Sequence, residues 1–346
     1  MDTHGMNTKN LHRFSVLLAV VTFILIFSGG LVTSKGVGMA VPDWPTTYGY
    51  NMFLFPVSMW VGGIFHEHLH RLIASTVGLL TVILCIWLWI SEKRAWLKHL
   101  GLIAVMAVVL QGVLGGMRVT LVQKEIGIFH GCLAQSFLLL TAFLALATSE
   151  WWKRSQLARD PARQFAHVAL FLTAVIFINM AVAATMRHSH TGLSIPDFPA
   201  AYGRFFPPLD AASLDRINTD RIANNIPETT PTLILLQYTH RMIAYFLGVA
   251  IPWFSYRVFR AGGVLKNWAG LWSILVFLQI GLGAWTIWSN KAADIATIHV
   301  GTGAAILILG GLMTIIAFRA RFDAARTDPA SRKQVENPGS LAEIAG

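Results

Sequence analysis

Charge is scarce in this chain, and cysteine scarcer still. Asp, Glu, Lys and Arg make up 13% of 346 residues while 55% are hydrophobic, where a soluble domain carries about a quarter charged residues. That shortage excludes a water-facing globular surface and marks a polytopic membrane protein. Two cysteines exclude a disulfide framework. Acidic residues are the rarer sign, 17 against 27 Lys and Arg, but the basic residues lie scattered in short runs between apolar stretches. They read as topology signals, and no nucleic-acid partner is implied.

What the chain has in abundance is long apolar runs. Eight are long enough to cross a bilayer core of about 30 Å: 14–33, 66–90, 100–119, 127–148, 165–186, 233–256, 268–288 and 295–318. The bias of Lys and Arg puts both termini in the cytoplasm. The first run is too long for the apolar core of a signal peptide and lacks a small-residue cleavage site, so it reads as a retained helix. The polar tail 321–346 reads as disordered.

The sequence repeats itself. VPDWPTTYG at Val41 returns as IPDFPAAYG at Ile195, and the His70-Arg71 pair returns as His240-Arg241. LQGVLGG at Leu110 returns as LQIGLGA at Leu278, and His130 in IFHG returns as His299 in TIHV. Each repeat holds four apolar runs, so the two halves sit the same way up. The expected fold is all-α, eight transmembrane helices in two pseudo-symmetric four-helix bundles, 12–150 and 164–320, joined by the basic stretch 151–163.

His70, His130, His240 and His299 each open an even-numbered run and so fall near the outer face. They are spaced 60 and 59 residues apart within the halves. Two imidazoles from facing helices supply both axial positions of a heme iron, and duplicated ionisable groups inside a membrane are costly unless they act. Arg71 and Arg241 follow a histidine directly. They are placed to meet a heme propionate or to snorkel to lipid phosphate. Gly112 and Gly116 serve helix packing or make room for a flat macrocycle. The two proline-flanked loops are rigid turns, candidate lids over each site.

The stretch FHEHLHR contains HExxH, the zinc signature of metalloproteases, at His66, Glu67 and His70. The second half has Leu236 and Gln237 where the first has His66 and Glu67, so only the histidine and arginine belong to the shared framework. His66, His68, His188 and His190 read as solvated interfacial residues. Glu67 remains, an acid present in one half only. That asymmetry suggests that the first half does chemistry and the second carries electrons.

EHLHR at 67–71, the repeated histidines, the PDWP loop and the LQGxxGG helix together resemble the heme A synthase family, over roughly residues 12–319. The resemblance implies that the C8 methyl of heme O is oxidised to a formyl group through hydroxylated intermediates, yielding heme A for cytochrome oxidase. It implies substrate between His70 and His130 with Arg71, a resident heme b between His240 and His299 with Arg241, and Glu67 as the catalytic acid. The four histidines would be the iron ligands. It also implies a bacterial plasma (inner) membrane location with the sites near the outer face, and as partners heme O synthase, cytochrome oxidase assembly proteins, membrane lipid and a homo-oligomer. A non-catalytic diheme b-type cytochrome is the alternative that the histidines alone allow. Some family members carry cysteine pairs in their outer loops; here Cys85 and Cys132 lie within apolar runs at different depths and are not expected to bridge.

Overall fold

A computed structural model describes residues 3–189 and 191–327. Ten α-helices appear among them: α1 (Thr3–Ser34), α2 (Gly62–Ser91), α3 (Ala95–Leu121), α4 (Lys124–Thr148), α5 (Glu150–Arg154), α6 (Ala166–His188), α7 (Ala211–Ala223), α8 (Pro231–Ala261), α9 (Lys266–Trp288) and α10 (Ala293–Thr327). All except α5 and α7 are long and apolar enough to cross a membrane, which gives the eight spans expected and an integral membrane protein. No strand occurs among the described residues, only two isolated bridges in loops.

The outward faces explain the solvent. Val16, Leu17, Val20 and Ile24 on α1, and Ile274, Phe277 and Leu278 on α9, are exposed, as befits side chains that meet hydrocarbon. Inside, apolar residues gather in two clusters. Leu18, Val77, Leu84, Leu97, Phe137 and Leu144 unite α1 to α4. Leu172, Ile251, Phe254, Trp272, Ile306 and Met313 unite α6 and α8 to α10. A smaller cluster of Ile26, Leu138 and Ala304 joins α1, α4 and α10 where the two sets meet.

Between helices there is no hydrophobic gradient to exploit, because lipid is as apolar as leucine, so small residues and internal hydrogen bonds set the packing. Trp272 is fully buried and donates its indole N–H to the carbonyl of Ile306 at 2.9 Å. Ser255 donates to the Ala269 carbonyl at 2.6 Å and receives Ser273 at 2.8 Å, tying α8 to α9 below Pro252. The helix start at Pro231 is set by Thr230, whose hydroxyl accepts the Leu233 N–H, with proline at the first position.

One expectation is corrected at the carboxyl end. Helix α10 runs on to Thr327, so 321–327 are helical rather than disordered, while 328–346 lie outside the described residues. The long connection 189–230 contains α7, capped by Asp210 and clipped down by Arg221 on the carbonyls of Pro227 and Leu193.

Helix α10 can pass through the centre only because it is thin. A Cβ on Gly310 would lie 2.6 Å from Cζ2 of Trp272 and 2.8 Å from the Thr173 hydroxyl, and the indole is held by its bond to Ile306. Gly310→Ala is therefore expected to destabilise the fold by roughly 1–3 kcal/mol, read as a lower midpoint of thermal unfolding in detergent; an unchanged midpoint would refute the packing account.

Candidate functional site

Both proline-flanked loops fold the same way. Asp43 accepts the N–H groups of Tyr48 at 2.7 Å and Gly49 at 2.9 Å, and Asp197 those of Tyr202 at 2.8 Å and Gly203 at 2.7 Å. In each turn the tyrosine and glycine have positive φ, 50° and 77° in the first, 56° and 71° in the second. Glycine tolerates this and tyrosine does not without compensation. The tyrosine hydroxyls supply it, donating to the carbonyls of Ala40 and Ser194. Trp44-Pro45 and Phe198-Pro199 are both cis.

Each loop is then fastened to the helix that carries the first histidine of its half. The Val41 N–H donates to Oε2 of Glu67 at 2.9 Å, and the Ile195 N–H donates to Oε1 of Gln237 at 2.7 Å. Arg71 donates to the carbonyls of Asp43 (2.7 Å), Thr46 (3.1 Å) and Val41 (2.9 Å), and to Oε1 of Glu67 at 2.8 Å. Arg241 donates to the carbonyls of Ala200 (2.9 Å) and Ile195 (3.1 Å). These guanidiniums are used differently from the expectation that they meet a propionate or lipid: both terminal nitrogens of each are taken by loop carbonyls. Arg241 keeps one buried N–H, at Nε, without a partner.

The four repeated histidines lie six to nine residues inside α2, α4, α8 and α10, all at the end that carries the loops. His240 and His299 face each other with ring centroids 6.5 Å apart. Two imidazoles sharing one iron, with bonds of about 2 Å from ring atoms about 1.2 Å off the centroid, need about 6.4 Å. His130 lies close enough to His70 for its charge to be felt there. In all four the Nδ1 atom is buried without a hydrogen-bond partner, costly in a protein interior unless a ligand or water completes it.

Glycines make room for these rings. A Cβ would come within 3.0 Å of His70 at Gly29, 3.2 Å of His130 at Gly115 and 3.2 Å of His299 at Gly283. Behind them, Gln111 donates to the His130 carbonyl at 2.8 Å and Gln279 approaches Nε2 of His299 at 3.4 Å. Orphaned ring nitrogens, a matched ring separation and glycine-lined space fit a flat macrocycle with an iron at its centre. Of the Gly112/Gly116 pair, Gly116 admits the Trp44 indole, 2.3 Å from its would-be Cβ, while Gly112 faces open space.

HExxH is not assembled as a zinc site among the described residues. Glu67 is committed to Arg71 and Val41, and His66 accepts Lys35 Nζ at 2.8 Å. Among the described residues no group of three or more His, Cys, Asp or Glu comes together for a metal ion. His68 and His188 are corrected from solvated to packed. His68 is 1% exposed, boxed by Phe55 at 4.9 Å and Trp60 at 4.7 Å, with Nδ1 near the Thr47 hydroxyl. His188 is half-buried against Gly127 of α4. His190 lies outside the described residues. Cys85 and Cys132 are free thiols.

By charge alone, nothing in the sequence separates Arg118 and Arg187 from the other basic residues that read as topology signals, yet both stand near the ends of their helices beside the histidines. The charge of Arg118 acts on His70 and His130, and that of Arg187 on His299. The signal available was their failure to repeat: Thr286 and Thr33 occupy the matching places.

Residues 60–310 match the family model described as cytochrome oxidase assembly protein, and the chain belongs to that family, the heme A synthases. The chain is 25% identical to the heme A synthase of Shouchella clausii over 87% of its own length and 93% of that protein's. The heme A synthase of Alkalihalophilus pseudofirmus is 26% identical, with 84% and 92% covered, and that of Listeria monocytogenes 23%, with 84% and 90%.

The loop geometry yields two expected outcomes. Gly116→Ala drives a methyl into the Trp44 ring and should loosen the 35–61 loop by about 1–2 kcal/mol. Adding Trp44→Phe should restore it, since the second half has Phe198 and Ala284 at these places; hydrogen exchange at the Val41 amide reads both, and failure of the second change to rescue refutes the pairing. Burial tends to raise the Asp43 carboxyl, but hydrogen bonds from Gly49, Thr46 and Tyr48 outweigh it and hold it below its ordinary value of 3.8. Stability from this group is present above that value and lost as pH falls through the lowered folded one. Proteolysis of the first loop should therefore accelerate only below about pH 4; constant protection into stronger acid contradicts this.

Proposed function

We propose that this protein oxidises the C8 methyl of heme O to a formyl group, forming heme A, with the substrate held between His70 and His130 and a resident heme b between His240 and His299. The observation that carries the reading is the pair of buried, duplicated histidine sites whose framework is the same and whose anchoring side chain differs, Glu67 in one half and Gln237 in the other. The matches to heme A synthases over most of the chain support it. A bound heme b supplies one-electron chemistry at its iron.

The chain's residues do the rest. The histidines would hold each macrocycle within the bundle, and Gly29, Gly115 and Gly283 leave space for their rings. Arg71 and Arg241 keep the two loops closed over the sites and exclude water. Glu67, held by Arg71 and the Val41 N–H, keeps a carboxylate at a fixed place beside the first site, where it stabilises positive charge developing at a carbon undergoing oxidation. The two halves act as pseudo-symmetric four-helix units, with both termini cytoplasmic and the sites near the outer face of a bacterial plasma membrane. Heme O synthase supplies the substrate, and the product passes to cytochrome oxidase assembly proteins.

One observation favours the second reading, a diheme cytochrome that only relays electrons: Glu67 accepts a loop N–H as Gln237 does, a task that needs no charge. Glu67→Gln separates the two. Because glutamine already fills this role in the second half, the variant should fold and bind heme at wild-type levels. The catalytic reading expects heme A in extracted membranes to fall at least about a hundredfold, in line with loss of one electrostatic stabiliser; an unchanged heme A yield favours the relay.

A further inference from the structure

Two neighbouring glycines on α1 face different histidine sites. A Cβ on Gly29 would sit 3.0 Å from His70, while one on Gly30 would sit 3.5 Å from Thr297 and 3.6 Å from Val300, the close sequence neighbours of His299. The last turns of α1 are thus a wall common to both halves. Two guanidiniums converge on it. Arg187 donates to the Gly30 carbonyl at 2.8 Å and to the Ser34 hydroxyl, which also receives Thr297 at 3.3 Å. Arg118 lies against Gly38 just beyond, with Nη2 3.0 Å from that residue's would-be Cβ.

Neither arginine has a carboxylate within 4.0 Å among the described residues, and the guanidinium of Arg118 makes no hydrogen bond to them. The carboxylate whose field reaches Arg118 is Glu67, already paired with Arg71. The two cations also repel each other. Half-buried like charges at apolar helix ends are unfavourable unless an anion offsets them. Their counterparts in the repeat are Thr33 and Thr286, which merely bond back to their own helices. One cation has therefore been added to each half, at the place where the halves meet.

We infer that Arg118 and Arg187 form an anion clamp for the carboxylates of the bound macrocycles, Arg118 serving the first site and Arg187 the second. The inference rests on the proposed heme-binding role of the histidines. It makes the free acid groups of the ligand, rather than its ring alone, the feature recognised between the two sites. Guanidinium suits this because it binds a carboxylate through two parallel N–H bonds.

The test titrates the purified full-length protein in detergent with two probes, iron protoporphyrin IX and its dimethyl ester, followed by Soret absorbance. Wild type should prefer the diacid by roughly tenfold or more. Arg118→Gln and Arg187→Gln should each shrink that preference while retaining histidine-dependent spectra, and Arg118→Lys, which keeps the charge and serves where the glutamine variant fails to fold, should shrink it less. If the glutamine variants bind both probes with the wild-type preference, the clamp is wrong and the histidine reading survives. If neither probe gives a spectrum that His70→Ala or His240→Ala abolishes, both fall together.

Discussion

A backbone N–H of a loop reaching a buried side-chain oxygen on a transmembrane helix is the bond on which the rest is arranged. Away from water an unmatched N–H is expensive, so Glu67 and Gln237, by receiving Val41 and Ile195, let the start of each loop stay down. With these contacts made, Arg71 and Arg241 can spend their guanidiniums on the carbonyls of the same two residues and of others up to five residues further along each loop. The histidines next to those arginines are then fixed in rotation about their helices. Loop, arginine and ring form one mechanical unit, built twice.

The two versions of the unit differ by a single charge. Carboxylate and amide are nearly the same size and accept the same hydrogen bond, so the fold is indifferent to which is present. The chemistry is not. Glu67 turns an uncharged anchor into an ion pair with Arg71, whereas Arg241 faces a neutral partner and lies over the Phe198 ring instead. A protein can in this way differentiate duplicated sites without disturbing the packing that duplicated with them.

Much of this could be read from residues alone. Apolar run length set the spans, and the repeat picked out His70, His130, His240 and His299 from twelve histidines. What was not legible depended on long-range closure. His68 has no period to distinguish it from a solvated neighbour, and only the folded loop brings Phe55 and Trp60 around it. Arg71 was placed correctly on its helix but its partners come from a loop about 25 residues away. Arg118 and Arg187 required knowing that α3 and α6 both end against the last turn of α1 and the residues just after it. The run of α10 beyond Phe318 was missed because its last turns are polar and rest on neighbours at that end, with Arg319 bonded to the carbonyls of Trp152 and Ser155.

Helix α10 packs on α1, α4, α6 and α9, and it is the last of them to leave the ribosome. Until it inserts, the first half has an open side along α1 and α4, and Gly30 has nothing opposite it. The second histidine pair does not exist before then, because His299 is carried by α10 itself. An unfinished chain that already carries His70 and His130 consequently lacks both the second ring pair and the helix that covers α1 and α4.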